Sequence, residues 1–195
     1  MKIYVFGLGA IGSNLIIQLM KQYPDFEYFG IDYDKIEERN IKTQAYFLEQ
    51  VGMPKALAIP IIASRFLRRF KYTPYNGKIE THISKKYNLK DKDYLYIDCF
   101  DNSKSRKFLF TEKSDDTVLH IGFSPFYSSE IMWQKDYDVP NDVDQRQNDI
   151  CSMGDAVSFI NFIVNYSVLN ISEYINKGIK SSYIITNKTK IVKIS

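Results

Sequence analysis

The chain has 195 residues, 45% hydrophobic and 25% charged, and its 26 Lys and Arg against 23 Asp and Glu leave a net charge of +3. That is the composition of a globular chain, which excludes a disordered or fibrous one, and a charge so small and so evenly mixed excludes a nucleic-acid surface built on net basicity. Two cysteines, Cys99 and Cys151, far apart and in no CxxC pair, exclude a disulfide framework and a four-cysteine zinc site, so no zinc is expected.

Residues 2–6 read as a short buried strand, followed by the glycine turn Gly7-Leu8-Gly9-Ala10-Ile11-Gly12 and an amphipathic helix from Ser13 to Met20. A strand and a glycine turn directly after Met1 do not make a signal peptide, and no apolar run approaches the roughly eighteen residues of a membrane span. The expectation is a cytoplasmic protein with no membrane partner. Residues 27–32 form a second strand, so the first thirty residues make a βαβ unit with a parallel sheet and a right-handed crossover. A polar loop, Lys35 to Gln44, comes next. Pro54 to Phe70 read as a helix started by Pro54 and kinked at Pro60. Strands are expected at 78–83, 93–99, 118–123 and 129–133, with a helix beginning at Ser103. Residues 134–150 read as a long loop with Pro140. A buried apolar helix spans Asp155 to Tyr174, and a β-hairpin runs from Tyr183 to Ile194. The fold class is α/β and Rossmann-like: a mostly parallel sheet with helices on both faces, then a C-terminal helix and hairpin, in a single domain over 1–195.

Gly7-x-Gly9-x-x-Gly12 sits between strand and helix as a dinucleotide-type turn requires. The first glycine allows the tight turn, the second lets a phosphate approach the backbone, and the third lets helix and strand pack closely. The helix N-terminus offers free N–H groups to that phosphate. Asp32 follows Gly12 by about twenty residues, where a carboxylate accepts from ribose hydroxyls. This fingerprint serves NAD, FAD, S-adenosylmethionine and ATP alike. The residues beyond it separate them: the stretch from Asp32 to Gln44 is densely polar, Lys55 opens a helix from which an ammonium can reach phosphates, and Asp101 lies just past a strand's C-terminal end, where a carboxylate can hold Mg2+.

Three blocks carry a resemblance: Gly7 to Asn14; Ile31-Asp32-Tyr33-Asp34-Lys35-Ile36-Glu37 with Asn40, Gln44, Val51-Gly52 and Lys55-Ala56; and Asp98-Cys99-Phe100-Asp101-Asn102 with Arg106. In order and spacing they resemble the ThiF/MoeB/HesA adenylating family, whose fold is shared with ubiquitin-activating enzymes. The resemblance implies that Gly7, Gly9 and Gly12 make the phosphate turn, that Asp32 holds the ribose within the block that includes Asp34, that Asn40 and Lys55 contact the phosphates of ATP, that Gln44 lies near the nucleotide, and that Asp101 binds Mg2+. The implied catalytic set is Lys55, Asp101 and Asn40. The implied reaction is adenylation of a carboxylate, at the C-terminus of a small ubiquitin-like or sulfur-carrier protein or a peptide, by a homodimer or a ThiF-like heterodimer. The helix at 155–174 is the candidate interface.

The sequence departs from the family at Thr43, where an arginine usually precedes the glutamine; Arg39 and Lys42 are the nearby cations. That departure supports a second reading, a catalytically weak nucleotide-binding partner subunit of a heteromeric activating enzyme. A third, an NAD-dependent oxidoreductase, explains only the glycines and Asp32. Cys151, after the long loop, is a candidate nucleophile, with a half-buried structural cysteine as its alternative. Cys99 reads as core, His120 as a structural histidine, His82 as solvated, and Arg65, Arg68, Arg69 and Lys71 as the exposed end of a helix or a docking patch for an acidic tail.

Overall fold

In the computed structural model, residues 1–79, 94–112, 117–124, 128–141, 155–186 and 190–195 are described. Every residue of β1 (Lys2–Phe6) after Lys2 is buried, as a strand covered on both faces must be. It pairs in parallel with β2 (Glu27–Asp32) on one side and β4 (Tyr94–Asp98) on the other. β3 (Lys71–Asn76) adds to β2 in parallel, and β5 (Val118–Ser124) to β4. From β5 the sheet turns antiparallel through β6 (Ser128–Trp133), β7 (Tyr183–Thr186) and β8 (Ile191–Lys193). The order is β3-β2-β1-β4-β5-β6-β7-β8, so the chain runs one way from β1 to β3 and the other way from β4 on. The reversal point lies between the C-terminal ends of β1 and β4, where open α/β sheets leave a crevice for ligands.

Side chains alternate between two cores. One joins Ile3, Val5, Tyr28, Leu95, Ile97, Leu119 and Ile121 of the sheet with α1 (Ala10–Gln22), α2 (Lys55–Ala63) and α4 (Ala156–Lys177). The other is aromatic: Tyr4, Phe6, Phe29, Tyr96 and Phe100 pack with Leu109 of α3 (Ser103–Glu112), and the Tyr4 and Phe29 rings stack at 4.3 Å. Helices therefore cover both faces, as the sequence implies, and the last helix and hairpin are present. Among the described residues no helix is long and apolar enough to cross a membrane.

Two expectations change. The helix from Pro54 ends at Ala63, because the N–H groups of Arg65 and Phe66 bond back only three residues, to Ile62 and Ala63, and the chain turns off toward β3. The third strand is Lys71–Asn76, earlier than the expected 78–83; Lys78 and Ile79 lie beyond it, and 80–83, with His82, lie outside the described residues. As an edge strand, β3 tolerates Pro74, whose missing N–H would break an inner ladder. The apolar helix α4 spends most of its apolar residues on the core and leaves Val157 and Leu169 exposed.

Pro60 inside α2 leaves the carbonyl of Ala56 without its helical N–H. The Tyr72 hydroxyl, from β3, donates to that carbonyl at 2.8 Å. To reach it the ring crosses Gly30 of β2, where a Cβ would fall 2.2 Å from the hydroxyl oxygen.

Candidate active site

The glycine turn links β1 to α1. Gly7 has φ +81°, and a Cβ on it would meet the Cys99 carbonyl at 2.7 Å. A Cβ on Gly12 would fall 1.9 Å from the Gly7 carbonyl oxygen, whereas a Cβ on Gly9 would meet nothing within 4 Å among the described residues. The turn thus packs tightly at Gly7 and Gly12 and stands open at Gly9. Among the described residues no side chain caps the N-terminus of α1, and no acidic residue lies in its first turn. That combination suits an anion.

Asp32, at the end of β2, faces the turn. Its Oδ2 accepts the Leu8 N–H at 2.7 Å and its Oδ1 accepts the Asp34 N–H at 2.7 Å. Two backbone donors fix the carboxylate, and each oxygen keeps a further lone pair for a ligand hydroxyl. Burial raises its pKa, opposed by the Lys55 charge and by those two amides. The Tyr46 hydroxyl donates to the Leu8 carbonyl at 2.8 Å and so holds the turn from the other side.

Lys55 comes to the same place through the backbone. Ile36 N–H donates to Met53 O, Gly52 N–H to Ile36 O, and Lys55 N–H to Asp34 O, which binds the start of α2 to the segment after β2. The Lys55 ammonium then lies 3.3 Å from Asp34 Oδ2, with the lysine only 7% exposed. Asn40 is committed locally: its Oδ1 accepts the Glu37 N–H at 2.8 Å and its own N–H bonds Glu37 O. Gln44 follows one turn on, its N–H on Asn40 O, and its buried Oε1 has no hydrogen-bond partner among the described residues. That orphaned acceptor is the kind of group a bound ligand satisfies.

Thr43 is buried, with its carbonyl accepting from Asn14 Nδ2 at 3.0 Å. Arg39 pairs with Glu37 at 2.6 Å in solvent, and Lys42 is exposed. Asp101 is exposed beyond β4, and Asn102 caps α3 by accepting the Ser105 N–H at 2.9 Å. Among the described residues no group of three or more His, Cys, Asp or Glu could hold a metal ion alone. One exposed carboxylate is nonetheless the usual protein share of a Mg2+ that phosphates complete. Burial pushes the Cys99 thiol well above its ordinary pKa. Cys151 lies outside the described residues. Arg65 of the basic cluster pairs with Glu49 at 2.6 Å and lies over the Phe47 ring.

The structure therefore brings together the glycine turn, Asp32, Asp34 and Lys55, with Gln44 and Asn40 on the adjoining loop. Sequence reasoning missed the part played by Asp98, His120 and Glu130: all three converge on the sheet face opposite α1. Asp98 stands in the third resembling block; for His120 and Glu130 the signal in the sequence is a polar residue at the inward position of its strand.

The model of the ThiF family matches residues 1–177. No curated protein sequence matches the chain. Among solved structures the chain is similar to MccB of E. coli, at 15% identity and a TM-score of 0.74, over 100% of this chain and 62% of that one. MccB has also been solved with ATP (15% identity, TM-score 0.70, 100% and 62% covered). PaaA matches at 13% identity and a TM-score of 0.68, over 100% of this chain and 63% of PaaA. At such identities the likeness is one of fold, and the chain spans under two thirds of the length of these neighbours.

Proposed function

The chain belongs to the ThiF family, and from that premise we propose that it adenylates a carboxylate with ATP. The observation that carries the reading is the convergence of an open glycine turn, an uncapped helix N-terminus, a backbone-fixed Asp32 and a buried Lys55 at the sheet's reversal point. In this reading Asp32 holds the ribose hydroxyls, and the α1 amides and Gly9 receive the phosphates. Lys55 exchanges its contact with Asp34 for phosphate oxygens, and Asn40 and Gln44 line the nucleotide. The substrate carboxylate oxygen attacks the α-phosphorus; the new P–O bond forms as the α–β bridging bond breaks, giving an acyl-adenylate and pyrophosphate. The protein's contribution is positioning and charge stabilisation. Mg2+ on Asp101, when bound, would offset negative charge on the phosphates. The fold neighbour MccB has been solved with an ATP analogue and MccA, and by that likeness the substrate here is a peptide or the C-terminus of a small ubiquitin-like or sulfur-carrier protein, with a homodimer as the working assembly.

The buried Thr43 favours a second reading, a nucleotide-binding partner subunit of weak activity, because the family's arginine charge is missing beside Gln44. One experiment separates the two. ATP–pyrophosphate exchange is measured with candidate peptides, with Lys55→Ala and Asp101→Asn as controls. Exchange lost in both variants supports the adenylating enzyme. Binding of Mg·ATP without exchange supports the partner subunit, and no binding of ATP would reject both.

A further inference from the structure

A run of buried charge on the α3 side of the sheet has no part in the reading above. Asp98 ends β4, and His120 is its register partner on β5; both side chains are fully buried. Asp98 Oδ2 lies 2.6 Å from His120 Nδ1, and Asp98 Oδ1 accepts the Phe100 N–H at 3.0 Å. On the far side of the ring, Nε2 lies 3.3 Å from Glu130 Oε1 on β6. The two meet because Gly122 is the register partner of Glu130 and has no side chain; a Cβ there would fall 2.5 Å from His120 Nε2. Tyr137 stacks on the imidazole at 4.0 Å. From α3, Arg106 Nε donates to the Phe100 carbonyl at 2.8 Å and a second guanidinium N–H joins it.

The two ends of this run meet at one residue. The Phe100 N–H is held by Asp98 and the Phe100 carbonyl by Arg106, so the residue before Asp101 is held through the peptides on both of its sides. Buried charge of this kind is a poor source of stability, and an outer set of groups that orients a ligand is its usual use. We propose that Glu130, His120 and Asp98 are positioning residues that, with Arg106, set the backbone at Phe100 and thereby aim the Asp101 carboxylate. What Asp101 receives rests on the adenylating reading; the fixing of Phe100 does not.

The test uses the full chain in two measurements. Hydrogen–deuterium exchange follows the 99–103 segment, and calorimetry compares ATP binding with Mg2+ and with EDTA. His120→Phe and Asp98→Ala are expected to speed exchange at 99–103 while β1 and α1 keep their protection, and to cut the Mg2+ enhancement of ATP binding by about 10–100-fold. Asp98→Asn keeps an acceptor for the Phe100 N–H and is expected to retain protection. Glu130→Gln, at a partly exposed position, covers the case in which His120→Phe does not fold, and is expected to shift both readouts the same way by less. Unchanged exchange at 99–103 in every variant that folds overturns the proposal, as does a loss spread equally over β1 and α1. A wild-type chain indifferent to Mg·ATP would reject the adenylating reading instead, and exchange at 99–103 would still decide the positioning.

Discussion

At the scale of single residues the glycine turn separates folding from binding. Gly12→Ala would drive a Cβ into the Gly7 carbonyl, and backbone cannot step aside cheaply; a loss of about 1–3 kcal/mol or more is expected, read as a fall in Tm. Gly9→Ala meets nothing within 4 Å among the described residues, so Tm should hold while ATP affinity drops, because the methyl stands where a phosphate would approach. If Gly9→Ala bound ATP as well as the wild type, the phosphate would have to lie elsewhere. His120 gives a pH prediction. Burial alone would lower its pKa, but Asp98 and Glu130 together raise it, with Arg106 opposing and Tyr137 stacked beside. A raised folded pKa means that the imidazolium's contribution is complete below the unfolded value of about 6.5 and is lost as pH rises through the folded value. Thermal melts across that range should show Tm falling with rising pH, and His120→Gln should flatten that slope.

At the scale of elements, α2, β2 and β3 are joined by one hydroxyl. Tyr72→Phe leaves the Ala56 carbonyl orphaned and should cost about 1 kcal/mol. Pro60→Ala restores a helical N–H for that carbonyl, so in the Tyr72→Phe background it should recover most of the loss. A double-mutant cycle by urea unfolding reads the coupling, and simple additivity of the two changes would refute the link. The same elements show what the sequence could convey. β1, α1 and β2 were legible because burial on both faces writes an unbroken apolar run and α1 writes a helical period, with glycines between them. β3 was not, because an edge strand exposes Lys71, Thr73 and Asn76 and carries Pro74, and that looks like a loop. The apolar spacing through Phe66 and Phe70 suggested more helix, although Leu67 and Phe70 pack against the core from a turn. At the site, Asp32 and Lys55 were legible through spacing. Asp98, His120 and Glu130 were not, because strand register brings them together and nothing local in the sequence records register.

At the scale of the whole molecule, the reversal of strand order is what gathers residues from 7 to 101 at one end of the sheet. A ligand held there touches both halves of the chain and binds only the folded state. Mg·ATP at a hundred times its Kd should therefore add about 2.7 kcal/mol of stability, seen as a raised Tm, while NAD(H) should add none. A Tm raised by NAD(H) alone would restore the oxidoreductase. The central place of β1 has a consequence for how the protein is made. On a ribosome, β1 is soon followed by β2, its neighbour on one side, but its neighbour on the other side begins at Tyr94. At about 5–20 residues per second, that partner arrives roughly 4 to 18 seconds later. For that interval the edge of β1 that β4 will pair presents a bare ladder, and the glycine turn waits without the Cys99 backbone that closes over it. Slow translation between residues 6 and 94 would lengthen that exposure, so the speed of synthesis over this stretch bears on how long the β1 edge stays open to a wrong partner.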